Sequence, residues 1–112
     1  MTEFIQVMTT LESKEDAQRL ARTLVERKVA ACVQIVGPLT SIYQWQGKVE
    51  EAGEYLCIAK SRQDLFDELR QIIAANHPYE VPEILALPIS AGSDSYLAWL
   101  NQELIMKTPE KS

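Results

Sequence analysis

Apolar and polar positions change period several times along the chain, and each change predicts an element. Phe4 to Met8 is a short apolar run and predicts a first strand. From Leu11 to Lys28 the period becomes helical: Ala17, Leu20, Ala21, Leu24 and Val25 share one face, and Arg19, Arg22 and Glu26 face water. Ser13 and Asp16 stand as in a capping box, with Asp16 in place of the usual Glu or Gln. Val29 to Val36 is apolar and partly β-branched, which predicts a buried strand. Gly37-Pro38 interrupts it with a bulge or bend, and Thr40 to Trp45 resumes the strand. Gln46-Gly47-Lys48 makes a turn, and Val49 to Ala59 returns as the second arm of a long hairpin. Alternation puts Tyr43 and Trp45 on one face of that hairpin and Ile42 and Gln44 on the other.

Ser61, with Asp64 three residues on, offers an N-cap for a second helix built on Leu65, Leu69, Ile72 and Ile73. Asn76-His77-Pro78 stops it, because proline biases the preceding residue away from helix. Glu83 to Ile89 predicts another strand. Gly92-Ser93-Asp94 predicts a loop and cap, and Tyr96, Leu97, Trp99 and Leu100 predict a short closing helix. The tail from about Lys107 is polar and is expected to fray.

The order β-α-β-β-α-β plus a helix is the split β-α-β plan of an α+β, ferredoxin-like sandwich. Residues 1–112 make one domain, with no linker or repeat. Two helices can cover only one sheet face, and the long hairpin carries Tyr43 and Trp45 beyond what a small sheet needs. Exposed aromatic strands of this kind are normally covered by another subunit, so a homo-oligomer is expected.

Composition narrows the function. The formal charge is -5, from 11 basic and 16 acidic residues. Nucleic-acid binders need a basic patch, so nucleic acid is not an expected partner. No run reaches a membrane-spanning length, and the first residues lack the basic and apolar segments of a signal peptide. A cytoplasmic protein with reduced thiols is expected.

Candidate chemistry is sparse. His77 is the only histidine, in the stretch NHPYEVPE, and the chain has no Gly-x-Ser-x-Gly elbow, phosphate loop or dinucleotide motif. An enzyme is therefore not expected, although a Cys32–His77 nucleophile and base is conceivable. Thiolate and imidazole would suit copper or zinc, with Glu80 and Glu83 as further donors. Each residue also has a structural reading. Cys32, among apolar neighbours, can be a small buried hydrophobe. His77 can cap the preceding helix, and Tyr79 can hydrogen-bond across a turn or subunit contact. A buried carboxylate here would need a partner, and Lys60 is the natural candidate. Residues alone leave turn and ligand site equally open.

The segments LVERKVAACVQIVGPLTSIYQWQGKVE, AKSR, NHPYEVPEILALPI and YLAWL, in this order from about Val7 to Leu100, resemble the CutA family of divalent-cation tolerance proteins. The resemblance implies a ferredoxin-like protomer in a cytosolic homotrimer built like that of the PII signalling proteins, with a link to copper tolerance and copper binding. Around the intersubunit cleft it implies Tyr43, Trp45, Lys60, Tyr79, Glu80 and Trp99. The copper proposal falls on Cys32 and His77, and Glu83 could complete the site. Two positions depart from the family pattern: Lys60-Ser61 replaces the usual Lys-Thr, and LESKED replaces a less acidic segment with a proline. Cys57 receives no role. The expectation is a metal-responsive homotrimer that binds copper or a related divalent cation. The alternative is a PII-like signalling trimer holding a small metabolite or anion, with Lys60, Arg62 and His77 as its ligands. A purely structural assembly module is a third possibility.

Overall fold

The computed structural model describes residues 3–106, so the tail from Lys107 lies outside the described residues. Strands β1 (Phe4–Leu11), β2 (Cys32–Trp45), β3 (Lys48–Arg62) and β4 (Leu85–Pro88) form one antiparallel sheet in the spatial order β2-β3-β1-β4. Helices α1 (Lys14–Glu26) and α2 (Phe66–Ala75) fill the crossovers, and α3 (Asp94–Glu103) closes the chain. This is the ferredoxin-like α+β arrangement expected from the element order.

Local chemistry sets the boundaries. Strand β1 runs on to Leu11, which pairs with Tyr55 and is buried, so α1 starts only at Lys14. Ser13 caps it, its Oγ accepting from the Asp16 N–H at 3.1 Å. At the other end Lys28 is left-handed, with φ of 60°. The Lys28 N–H bonds the Val25 carbonyl and the Val29 N–H reaches Leu24, the paired bonds of a Schellman ending. Val29 and Ala30 are buried in this turn, and β2 begins later than the apolar run suggests, at Cys32. The expected bulge is present: the β2–β3 register shifts between Val36 and Leu39. Gly37 is needed there, since a Cβ would come within 2.7 Å of the Tyr55 ring. At the hairpin tip Gln46 and Gly47 both have positive φ, as a two-residue type I′ turn requires.

Ser61 does not cap a helix. It is a buried residue of β3 whose hydroxyl donates to the Val29 carbonyl at 2.6 Å. A single 3-10 turn, Gln63–Leu65, follows, and α2 starts at Phe66 without a side-chain cap. The pattern misleads here because Ser61 satisfies its hydroxyl across the sheet.

The main core lies between the sheet and α1 and α2. It joins Ile5, Val7 and Leu11 of β1 and Cys57 and Ala59 of β3 to Ala17, Leu20, Leu24, Leu69 and Ile73. Val25, expected on the apolar face, is exposed instead. A second cluster of Leu65, Leu100 and Leu104, with Phe4 and Ala31, seats α3. Arg62 fastens that end, donating to Asp64, to Asn101 Oδ1 and to the Ile105 carbonyl. Beyond Leu11 the β2–β3 hairpin projects as a ribbon without a third strand, with Ile42 67% and Val49 68% exposed. None of the helices among the described residues is long and apolar enough to cross a membrane.

Two outcomes follow for stability. Lys28→Gly relieves a left-handed side chain and is expected to stabilise the protein by about 1 kcal/mol in urea unfolding. Burial pushes the Cys57 thiol up to about 11 from 9.0. The fold thus favours the neutral thiol; this contribution is complete below pH 9 and is lost as pH rises from about 9 through 11. Urea midpoints at pH 8 and 10.5 are expected to differ less in Cys57→Ala than in the wild type, by the equivalent of about 2 kcal/mol at most.

Candidate functional site

Past the end of β1, the loop between α2 and β4 runs beside the base of the hairpin, and a cleft of about 550 Å³ opens between them. Its volume lies in the range of small-molecule sites. The hairpin contributes Tyr43, Trp45 and Glu54, and the loop contributes Tyr79, Glu80 and Glu83. Glu12, just after β1, completes the acidic wall. Among the described residues, no lysine, arginine or histidine lines it.

Glu54 is the unusual member. It is only 7% exposed, yet it makes no ion pair with the described residues. Its Oε2 accepts from the Tyr79 hydroxyl at 2.8 Å. Tyr79 is held above the ordinary phenol range, first by burial, then by the hydrogen bond to Glu54, with the charges of Glu54 and Glu12 adding.

His77 does not line the cleft; it builds it. Its Nε2 meets the Thr10 carbonyl at 2.7 Å, and its Nδ1 accepts from the Tyr79 N–H at 3.1 Å. A carbonyl only accepts and an amide N–H only donates, so the ring is the Nε2–H neutral tautomer. Its ring packs edge-on against Tyr79 at 4.7 Å. Both nitrogens are engaged, so metal ligation would require one of these bonds to break.

The remaining candidates lie elsewhere. Cys32 is half-buried and pairs in register with Lys60, which pairs with Gln6. Thr10, where His77 is anchored, is four residues further along β1, roughly 13 Å at the strand rise. Cys32 and His77 therefore do not share a coordination sphere within one chain. Lys60 sits over the Tyr96 ring at 5.5 Å, and Tyr96 packs on Trp99, so these form a separate cluster under α3. Lys60 is six residues from Glu54 on β3, roughly 20 Å away. It is not the partner of the buried carboxylate, and Arg62 is engaged in its own clamp. Among the described residues no group of three or more His, Cys, Asp or Glu side chains is placed to hold a metal ion.

Glu12 and Glu54 were not singled out by the sequence. For Glu54 a partial signal exists: in the alternation of β3 its neighbours on the same face are Ala52, Leu56 and Ile58, so a carboxylate stands among apolar positions in mid-strand. Glu12 carries no such signal within LESKED.

Tyr79→Phe is expected to remove a component of the alkaline absorbance titration that lies above the ordinary phenol range. An unchanged titration would show that the hydroxyl is not held by Glu54.

Comparison with known proteins agrees with this architecture. The family model of the CutA1 divalent ion tolerance protein matches residues 5–103. The chain is 49% identical over 96 residues to the divalent-cation tolerance protein CutA of Thermus thermophilus, covering 86% of this chain and 93% of that one. It is 48% identical to the chloroplastic protein CutA of Arabidopsis thaliana, covering 86% of this chain but 53% of that one, so it spans about half the length of some relatives. The solved structure of CutA1 from Oryza sativa superposes with a TM-score of 0.91 at 42% identity, covering 95% of this chain and 97% of the other. The Thermus thermophilus structure gives 0.88 at 46% identity, covering 90% and 98%. On sequence and fold together, the chain belongs to the CutA1 divalent-ion-tolerance family.

Proposed function

We propose that the chain is a non-enzymatic, cytoplasmic homotrimer that responds to copper or a related divalent cation through its acidic cleft. The observation that carries this reading is Glu54, a buried residue whose carboxylate has no cationic partner among the described residues, on a wall shared with Glu12, Glu80 and Glu83. Such a wall concentrates cations and repels anions. Carboxylate oxygens are hard donors, so this set suits hard cations better than soft ones. Donors do not converge into a chelate within one chain, so binding is expected to be weak unless a neighbouring subunit adds a ligand. Self-assembly is supported by the half-exposed Tyr43 and Trp45 of the projecting hairpin and by the exposed Leu85 and Leu87 of β4. Cytoplasmic placement is supported by Cys32 and Cys57, both unpaired thiols. The anion-binding alternative has less support, because Lys60, Arg62 and His77 do not line the cleft.

Calorimetric Cu²⁺ titration of the assembled protein tests the proposal, with light scattering to count chains. The double variant Glu80→Gln/Glu83→Gln is expected to weaken binding about tenfold, by reducing the charge on the wall. His77→Gln disturbs the Thr10 and Tyr79 bonds that hold the loop, so it is expected to lower stability by about 1–2 kcal/mol and to weaken Cu²⁺ binding less than the double carboxylate variant does. The reverse pattern, with binding lost only in the His77 variant, would move the metal site to the imidazole.

A further inference from the structure

A carboxylate as buried as that of Glu54 is ordinarily compensated by a cation or by several hydrogen bonds. Here Oε2 accepts one phenol hydroxyl, and Oε1 is not among the buried atoms that lack a partner, so it stays open to the cleft. The residue lines an open cleft with no basic side chain on its walls. The site therefore has the electrostatics of a cation receptor whose cation comes from outside the chain.

The walls also indicate the kind of cation. A bare divalent ion needs several oxygen ligands at short range, about six for Mg²⁺ and more for Ca²⁺. The described residues do not converge in that way. Tyr43, Trp45 and Tyr79 instead give the cleft aromatic surface, and Ile42 and Val81 add apolar surface. Aromatic faces attract organic cations, tryptophan most strongly, and apolar walls accept the carbon body that such cations carry. The volume of about 550 Å³ is far larger than a metal ion and suits a small molecule.

We propose that the cleft binds a small organic cation, an ammonium or guanidinium group on an apolar body, with the charged group against Glu54 and the body between Trp45 and Tyr79. This rests on the reading of the cleft as a cation site and adds an organic ligand to the weak divalent-cation binding proposed above. Glu12, Glu80 and Glu83 at the walls draw the cation in, and the phenol of Tyr79 fixes the Glu54 carboxylate. The His77 bonds hold the loop that carries Tyr79.

The test uses three probes of matched size on the assembled protein at pH 7: phenethylammonium, neutral 2-phenylethanol and anionic 3-phenylpropionate. Calorimetry is expected to show saturable phenethylammonium binding, one per chain, at least tenfold tighter than the alcohol, and no binding of the anion. Glu54→Gln keeps an acceptor for Tyr79 but removes the charge. It should weaken phenethylammonium at least tenfold and leave the alcohol unchanged. Trp45→Leu, on the exposed hairpin, gives a second reading should Glu54→Gln fail to fold, and is expected to weaken the cation severalfold. Equal affinity for alcohol and cation, or no effect of either variant, overturns the proposal. So does an absence of binding in the wild-type assembly, which would mean that a basic side chain of a second copy fills the cleft. Cu²⁺ titrated in parallel separates the two readings. If Cu²⁺ binding depends on the cleft carboxylates while phenethylammonium does not bind, only the organic-cation proposal fails. If neither binds, both fail.

Discussion

His77 donates from Nε2 to the carbonyl of Thr10, and this bond ties the loop after α2 to the end of β1. The other ring nitrogen holds the Tyr79 N–H, so one imidazole sets the path of the backbone over three residues. Tyr79 can then reach across to Glu54 on the hairpin. The cleft exists because these contacts hold loop and hairpin at a fixed separation. The histidine thus serves the site by position, with both ring nitrogens hydrogen-bonded within the chain.

The sheet separates two sets of polar and aromatic groups that look alike in the sequence. At the end near the hairpin, carboxylates and aromatics line a cleft with no basic group. At the other end, Lys60, Tyr96 and Trp99 gather under α3, and Arg62 binds the chain after that helix to β3. About six residues of strand lie between them, so the positive charges do not screen Glu54 beyond a Debye length of about 8 Å. This separation gives the cleft its sign.

The hairpin poses the other physical demand. A two-stranded ribbon is marginal by itself, and this one carries exposed Ile42, Tyr43, Trp45 and Val49. Its type I′ turn and its bulge at Gly37 fix twist and register, which keeps the aromatic positions aimed at the cleft. The same exposed strands offer an edge and an apolar surface to a further copy of the chain, so the cleft and the surface proposed for assembly share residues.

The sequence by itself determined the element order, the hairpin turn, the Ser13 cap, the bulge at Gly37-Pro38 and the apolar set of the core, because each depends on local backbone preference or on a short hydrophobic period. It also singled out Tyr43, Trp45, Tyr79, Glu80 and Glu83, which do meet in one cleft. Tertiary structure decided the rest. Ser61 became a strand residue because Val29, 32 residues away, accepts its hydroxyl. Within one chain, Cys32, Lys60 and Trp99 lie away from this cleft because strand register sets Cys32 and Lys60 at the opposite end and α3 carries Trp99 there. Glu54 entered because the pleat turned it to the face that Tyr79 reaches. Pairing across many residues sets these distances, and no local pattern encodes them.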